Sequence, residues 1–115
     1  MFRFRAKSSR PRREPGKMNG TEKVYADALE LRLRAGEILR YDFEPEKLRL
    51  AKGTFYDPDF RVIMADGTME FHEVKGGFIR DDAMVKIKVA AALHPYVFRM
   101  IKITKKGWVE EIIGG

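Results

Sequence analysis

Three residues in the segment YDPDFRVIMADGTMEFHEVKGG, positions 56–77, have the types and spacing for phosphodiester chemistry: Asp59, Glu73 and Lys75. Hard divalent cations such as Mg²⁺ take oxygen ligands, usually one or two carboxylates plus the phosphate oxygens of a substrate. Carboxylates on neighbouring strands of a hairpin can converge on one such ion. Lys75 lies two residues beyond Glu73, and strand side chains repeat every second residue, so both project from one face. A lysine there orients a water or stabilises the charge that builds on a transferring phosphoryl group. Val74, between them, points into the core, and its backbone carbonyl is a further candidate metal ligand. Pro58 fixes the backbone before Asp59 and removes a ladder donor, which is tolerated where a strand bends. The plainer alternative is a solvent-facing strand with a cross-strand ion pair, worth under about 1 kcal/mol.

The elements that must position these residues follow from local signals. Asn19 with Glu22 three positions later forms a capping-box pattern, so a helix is expected to about Ala35, ended by Gly36. Val24, Ala28, Leu31, Ala35 and Ile38 recur at helical spacing, and Tyr25, Leu29 and Leu33 widen that arc. Glu22 projects in line with Leu29 and Leu33, which brings a carboxylate to the buried side. Residues 38–50 read as extended and irregular, with Pro45 confining them to an edge. A strand over 54–64, an Asp66-Gly67 turn and a strand over 69–75 make a hairpin. Asp81-Asp82 caps a helix over about 83–93, which is apolar nearly all round and so is expected to lie on a sheet. Strands follow over 96–104 and 108–113. The expected fold class is α/β, in the order α-β-β-β-α-β-β, with a mixed sheet flanked by helices. The segment 69–104 makes a right-handed crossover if its two strands are parallel.

The hairpin imposes one geometric condition. A two-residue Asp66-Gly67 turn pairs Met64 with Met69 and Val62 with Phe71, which sets Asp59 opposite Val74 and turns Asp59 and Glu73 to opposite faces. A shared metal therefore requires a β-bulge or a three-residue loop between Asp59 and Glu73.

The chain has 115 residues, the size of one domain with one modest core. It has no cysteine, which excludes a disulfide framework, a thiolate zinc site and a cysteine nucleophile. No run of about 20 apolar residues marks a membrane span. The opening Met-Phe-Arg-Phe-Arg lacks the apolar stretch of a secretory signal, and a cytoplasmic location is expected. The net charge of +6 is uneven. Residues 1–18 hold Arg3, Arg5, Lys7, Arg10, Arg12, Arg13 and Lys17 against Glu14 alone, and the remaining residues balance. This arm is expected to be flexible and suits a polyanion, although a solubilising tail is the alternative.

Pro58-Asp59 followed, after thirteen residues, by Glu73-Val74-Lys75 resembles the signature of the PD-(D/E)XK nuclease superfamily. The wider pattern is similar to small phage-type endonucleases that resolve junctions or nick DNA. It comprises a glutamate in an N-terminal helix, Tyr56-Asp57-Pro58-Asp59-Phe60, a hairpin, Glu73-Val74-Lys75-Gly76 and a lysine-bearing helix, over about residues 19–104. The resemblance implies a restriction-endonuclease-like domain over 19–115 and a Mg²⁺-dependent DNA endonuclease in which Mn²⁺ can substitute. Its setting would be phage recombination, junction resolution or DNA processing. Asp59 and Glu73 would be metal ligands, Lys75 the catalytic lysine, and Glu22 the helix glutamate that completes the site. Lys86 or Lys88 would touch phosphate; they fall on opposite sides of their helix, so at most one meets DNA. So short a chain leaves little room for a specificity domain, so DNA shape or a homodimer would set selectivity. A non-catalytic DNA-binding or accessory protein that keeps the fold is the alternative. For Glu22, the capping role explains the residue equally well.

Other polar residues suggest plainer roles. Alternation turns His72 away from Glu73, to the surface or the core edge. His94, before Pro95, reads as a helix-end residue, Trp108 as core packing, and Glu110-Glu111 as protection for an edge strand.

Overall fold

The computed structural model describes residues 16–77 and 81–114. It is a mixed α/β fold, with helix α1 (Gly20–Arg34), strands β1 (Ile38–Phe43), β2 (Leu48–Ala51), β3 (Thr54–Tyr56), β4 (Phe60–Met64) and β5 (Met69–Lys75), helix α2 (Asp81–Leu93), and strands β6 (Val97–Thr104) and β7 (Gly107–Ile113). Five strands form one sheet in the order β1-β4-β5-β6-β7, and β2 and β3 form a separate ribbon. β5 and β6 are parallel and every other neighbour is antiparallel. The basic residues Arg3, Arg5, Lys7, Arg10, Arg12 and Arg13 lie outside the described residues, and Lys17 is exposed.

Two expected strands are each divided in the structure. Residues 38–50 split into β1 and β2 around Pro45, with Glu44 at φ 48 between them. Residues 54–64 split into β3 and β4 around Asp57-Pro58-Asp59. A proline has no N–H to give a ladder, so each interruption falls where pairing must lapse. The expected edge position is observed for β1, which is the outermost strand on that side.

α1 starts as the capping box dictates. The Asn19 side chain accepts from Glu22 N at 2.8 Å, and Glu22 Oε1 accepts from Asn19 N at 3.1 Å. The helix closes where Glu37 N–H returns to the Arg32 carbonyl. Its buried face is centred on Glu22, Tyr25, Ala26 and Leu29, while Val24 and Leu31 are exposed. The sequence arc through Val24 and Leu31 is therefore displaced by about one position, because Tyr25 is drawn inward by its contacts with the sheet.

The two helices lie on opposite faces of the sheet. One core joins Tyr25, Ala26 and Leu29 of α1 to Ile38, Phe60, Val62, Val74 and Ile101. The other joins Ile87 and Ala90 of α2 to Phe71, Phe98, Met100 and Ile113, with Leu48 and Tyr56 of the ribbon packed in. α2 buries only that side; Val85, Val89 and Leu93 are exposed. Its last turn is anchored by His94, whose Nε2–H donates to the Arg49 carbonyl at 2.8 Å. Trp108 is half-exposed at 42 % and meets the edge of Tyr25, so it is less buried than a core residue. Among the described residues, no helix is long and apolar enough to cross a membrane.

Candidate active site

The β4–β5 hairpin resolves the register condition. Phe60 pairs with His72, Arg61 with Phe71, Val62 with Glu70 and Ile63 with Met69. Met64 N–H bonds to the Thr68 carbonyl at 2.8 Å, which closes a three-residue loop, Ala65-Asp66-Gly67. Gly67 sits at φ 89 and its N–H returns to the Met64 carbonyl, the conformation such loops place on a glycine. The two-residue turn is thus replaced by the longer loop, and the register moves by one. Continued one step past Phe60 and His72, it sets Asp59 directly opposite Glu73. That step is not hydrogen-bonded in the ladder, the kind of pair whose side chains stand closest.

Asp59 is held from both sides. Its carbonyl accepts Glu44 N–H at 2.8 Å, which extends the β1–β4 pairing. Its Oδ2 accepts Val74 N–H at 2.8 Å, which draws the carboxylate against β5 just past the end of the paired ladder. Continued further, the ladder would set Pro58 against Val74, and a proline has no N–H to return to the Val74 carbonyl.

Glu73 is constrained as tightly. Its Oε1 accepts the Tyr56 hydroxyl at 2.9 Å and its Oε2 stands 3.0 Å from Lys75 Nζ. Asp59 is 0 % exposed and Glu73 2 %, while the Lys75 side chain keeps 14 %. The site is thus two buried carboxylates with an ammonium at the water side. Tyr56 is a site residue that the sequence does not single out, because its place on β3 rather than on the hairpin depends on the break at Pro58. Its one local signal is its position three residues before Asp59.

Glu22, Lys86 and Lys88 are the other expected site residues. α1 covers the sheet face opposite Glu73 and Lys75, and Glu22 is buried within the capping box. The helix reaches this end of the sheet at its first turn, where a Cβ added to Gly76 would stand 2.9 Å from Thr21 Oγ1. Lys86 donates to the Phe55 carbonyl at 3.3 Å and is tied to β3 beside Tyr56. Lys88 is exposed on the outer side of α2.

Among the described residues, no three His, Asp or Glu side chains form a group that could hold a metal. Two opposed carboxylates and a neighbouring backbone carbonyl still fit Mg²⁺ or Mn²⁺, which take few protein ligands and fill the rest with water and phosphate.

The opposite face carries a second polar cluster. Tyr25 Oη lies 2.6 Å from His72 Nδ1, and His72 Nε2 lies 2.8 Å from Glu70 Oε1. Arg99 donates to Glu70 through Nε at 2.8 Å and through a second nitrogen at 3.3 Å. His72, expected at the surface or the core edge, is fully buried. Burial alone would raise the Glu70 carboxyl, but the hydrogen bonds from His72 and Arg99, with the charge of Arg99, prevail and lower it to about 2. Burial, then the nearby Glu110, pushes the Tyr25 hydroxyl above its ordinary range. A protonated Tyr25 donating to Nδ1 and an Nε2–H donating to Glu70 satisfy every partner in the chain.

Compared with protein-family models, with curated proteins and with solved structures, the chain matches none.

Proposed function

We propose that this chain is a metal-dependent DNA endonuclease with a restriction-endonuclease-like core over residues 19–115. The observation that carries this reading is the hairpin register, which sets Asp59 opposite Glu73 with Lys75 on the same face. Asp59 and Glu73 would hold Mg²⁺ or Mn²⁺, with the Val74 carbonyl beside them. When bound, the ion supplies Lewis-acid stabilisation of the phosphate and a more acidic water. As an ammonium, Lys75 only donates, so its part is to orient the water or to bond a phosphate oxygen as charge builds there. Tyr56 restrains the Glu73 oxygen that faces away from Lys75. Glu22 serves α1 as its cap and is not required as a ligand in this reading. DNA recombination, junction resolution or DNA processing in a phage-infected cytoplasm, with a homodimer spacing two sites, suits a small chain with a basic arm.

A second reading is a DNA-binding or accessory protein without catalysis. It is favoured by one observation: both carboxylates already have partners inside the protein, Val74 N–H and the Tyr56–Lys75 pair.

One experiment decides between them. Linear, supercoiled and branched DNA are incubated with the protein in Mg²⁺, Mn²⁺ or chelator, alongside Asp59→Ala and Lys75→Ala. The nuclease reading expects cleavage by the wild type only, and only with metal. Binding without cleavage supports the second reading. Equal cleavage by all three proteins marks a contaminant and overturns the assignment.

A further inference from the structure

We infer that Lys102, Lys105 and Lys106 form a phosphate-binding track that continues from Lys75 across the carboxyl ends of β5 and β6. This rests on the nuclease reading and names the surface by which the site would hold its DNA.

The track follows from the one parallel pair in the sheet. Parallel strands bring their carboxyl ends to the same edge, and that end is where open α/β sheets place their ligands. Lys75 pairs with Lys102 in the β5–β6 register, so the two side chains are neighbours on the same face. Neighbouring strands lie about 4.8 Å apart, so one phosphate can come within reach of both side chains. Glu73 serves Lys75 at 3.0 Å. Lys102 is exposed and has no ion-pair partner among the described residues, although Glu111 lies two positions along β7 from its partner Val109. Lys105 and Lys106 follow in the β6–β7 turn, exposed and likewise without an ion-pair partner among the described residues. Thr104 fixes that turn, donating to the Gly107 carbonyl at 2.9 Å and accepting Lys106 N–H at 3.2 Å, so the turn backbone that carries the two lysines is set.

Elsewhere among the described residues, some exposed basic groups are neutralised locally, while Arg49, Lys52 and Lys88 are exposed without an ion pair among the described residues. Arg34 pairs with Glu30, Arg40 with Asp42 and Lys23 with Asp27. The end of β6 differs in gathering Lys102, Lys105 and Lys106 within five positions, directly beside two buried carboxylates. A phosphodiester backbone fits it, with one phosphate near Lys75 and Lys102 and a flanking one near the turn.

The test is fluorescence anisotropy with labelled linear and branched DNA in chelator, over a series of salt concentrations. Wild type is compared with the triple variant Lys102→Gln/Lys105→Gln/Lys106→Gln and with the control Lys23→Gln/Lys52→Gln. Each phosphate that a variant no longer neutralises lowers the slope of log affinity against log salt by about 0.7–0.9. The triple variant is expected to lose about 2 from the slope and at least about tenfold in affinity at ~0.1 M salt, with the control unchanged. A wild-type slope in the triple variant, with wild type binding normally, overturns the track and leaves the nuclease reading standing. No binding by the wild type at low salt overturns both.

Discussion

Asp59 Oδ2 stands 2.8 Å from the amide nitrogen of Val74 and accepts its proton. The bond stabilises the fold and aims the carboxylate, and those two roles can be separated. Asn in place of Asp59 keeps an oxygen to accept the bond and loses the charge. Asp59→Asn is therefore expected to melt close to wild type and, under the proposed nuclease function, to lose at least about a hundredfold in cleavage together with its Mn²⁺ affinity by titration calorimetry. Asp59→Ala leaves Val74 N–H without its acceptor and should lose a further 1–3 kcal/mol or so of stability by denaturant unfolding.

Tyr56 bonds Glu73 from the ribbon rather than from the sheet. Partners of a metal ligand typically change metal affinity about 10–100-fold when removed. Under the proposal that Glu73 holds the ion, Tyr56→Phe is expected to weaken Mn²⁺ binding by about 10–100-fold, with an unchanged circular dichroism spectrum. Unaltered affinity would reduce Tyr56 to a packing residue.

The Glu70 cluster predicts an acid limb in stability. The carboxyl is depressed from 4.5 to about 2 in the fold, so the stabilisation is complete above about pH 4.5. It is lost as pH falls from there towards 2, because the unfolded chain then binds a proton that the fold resists. Thermal melts of Glu70→Gln should start lower, by about 1–3 kcal/mol for the unsatisfied donors, and fall less steeply over this window than wild type.

Gly76 and Thr21 join the start of α1 to the end of β5. Gly76→Ala places a Cβ 2.9 Å from Thr21 Oγ1 and is expected to destabilise by about 1 kcal/mol. Thr21→Ala removes the obstructing atoms, so the double variant should be more stable than the sum of the two singles. Additive losses would show that the two residues do not press on each other.

Some of this is legible in the sequence for clear reasons. The cap of α1 is readable because Asn19 and Glu22 satisfy each other within one turn. The hairpin is readable because Asp66-Gly67 requires a turn. Its loop length is not, since a glycine in the left-handed region serves both the two-residue and the three-residue form. The buried face of α1 is ambiguous because apolar residues from Val24 to Leu33 cover most of the helix, and the sheet makes the choice by engaging Tyr25. The cluster Tyr25–His72–Glu70–Arg99 gives one local sign, the alternation of Glu70 with His72. Its other two members are distant in sequence and meet only once strand order is known. Tyr56 is concealed by the interruption at Pro58, which moves it onto a different sheet from the strand it adjoins.

The loop Ala65-Asp66-Gly67 gives this protein an uncommon sensitivity to changes of length. Surface loops are ordinarily where insertions and deletions are tolerated. Here the loop is solvent-exposed and touches no site residue, yet its length decides which side chains face each other along β4 and β5. Loss of Ala65 would favour the two-residue turn, and the two strands would have to slide by one. Phe60 and Val62 would then lose their places beside Tyr25, or Asp59 would move from Glu73 to Val74. Substitutions at 65 change one side chain, whereas a single-codon deletion there sets the core and the site against each other, so related chains should vary in the identity of these three residues far more than in their number.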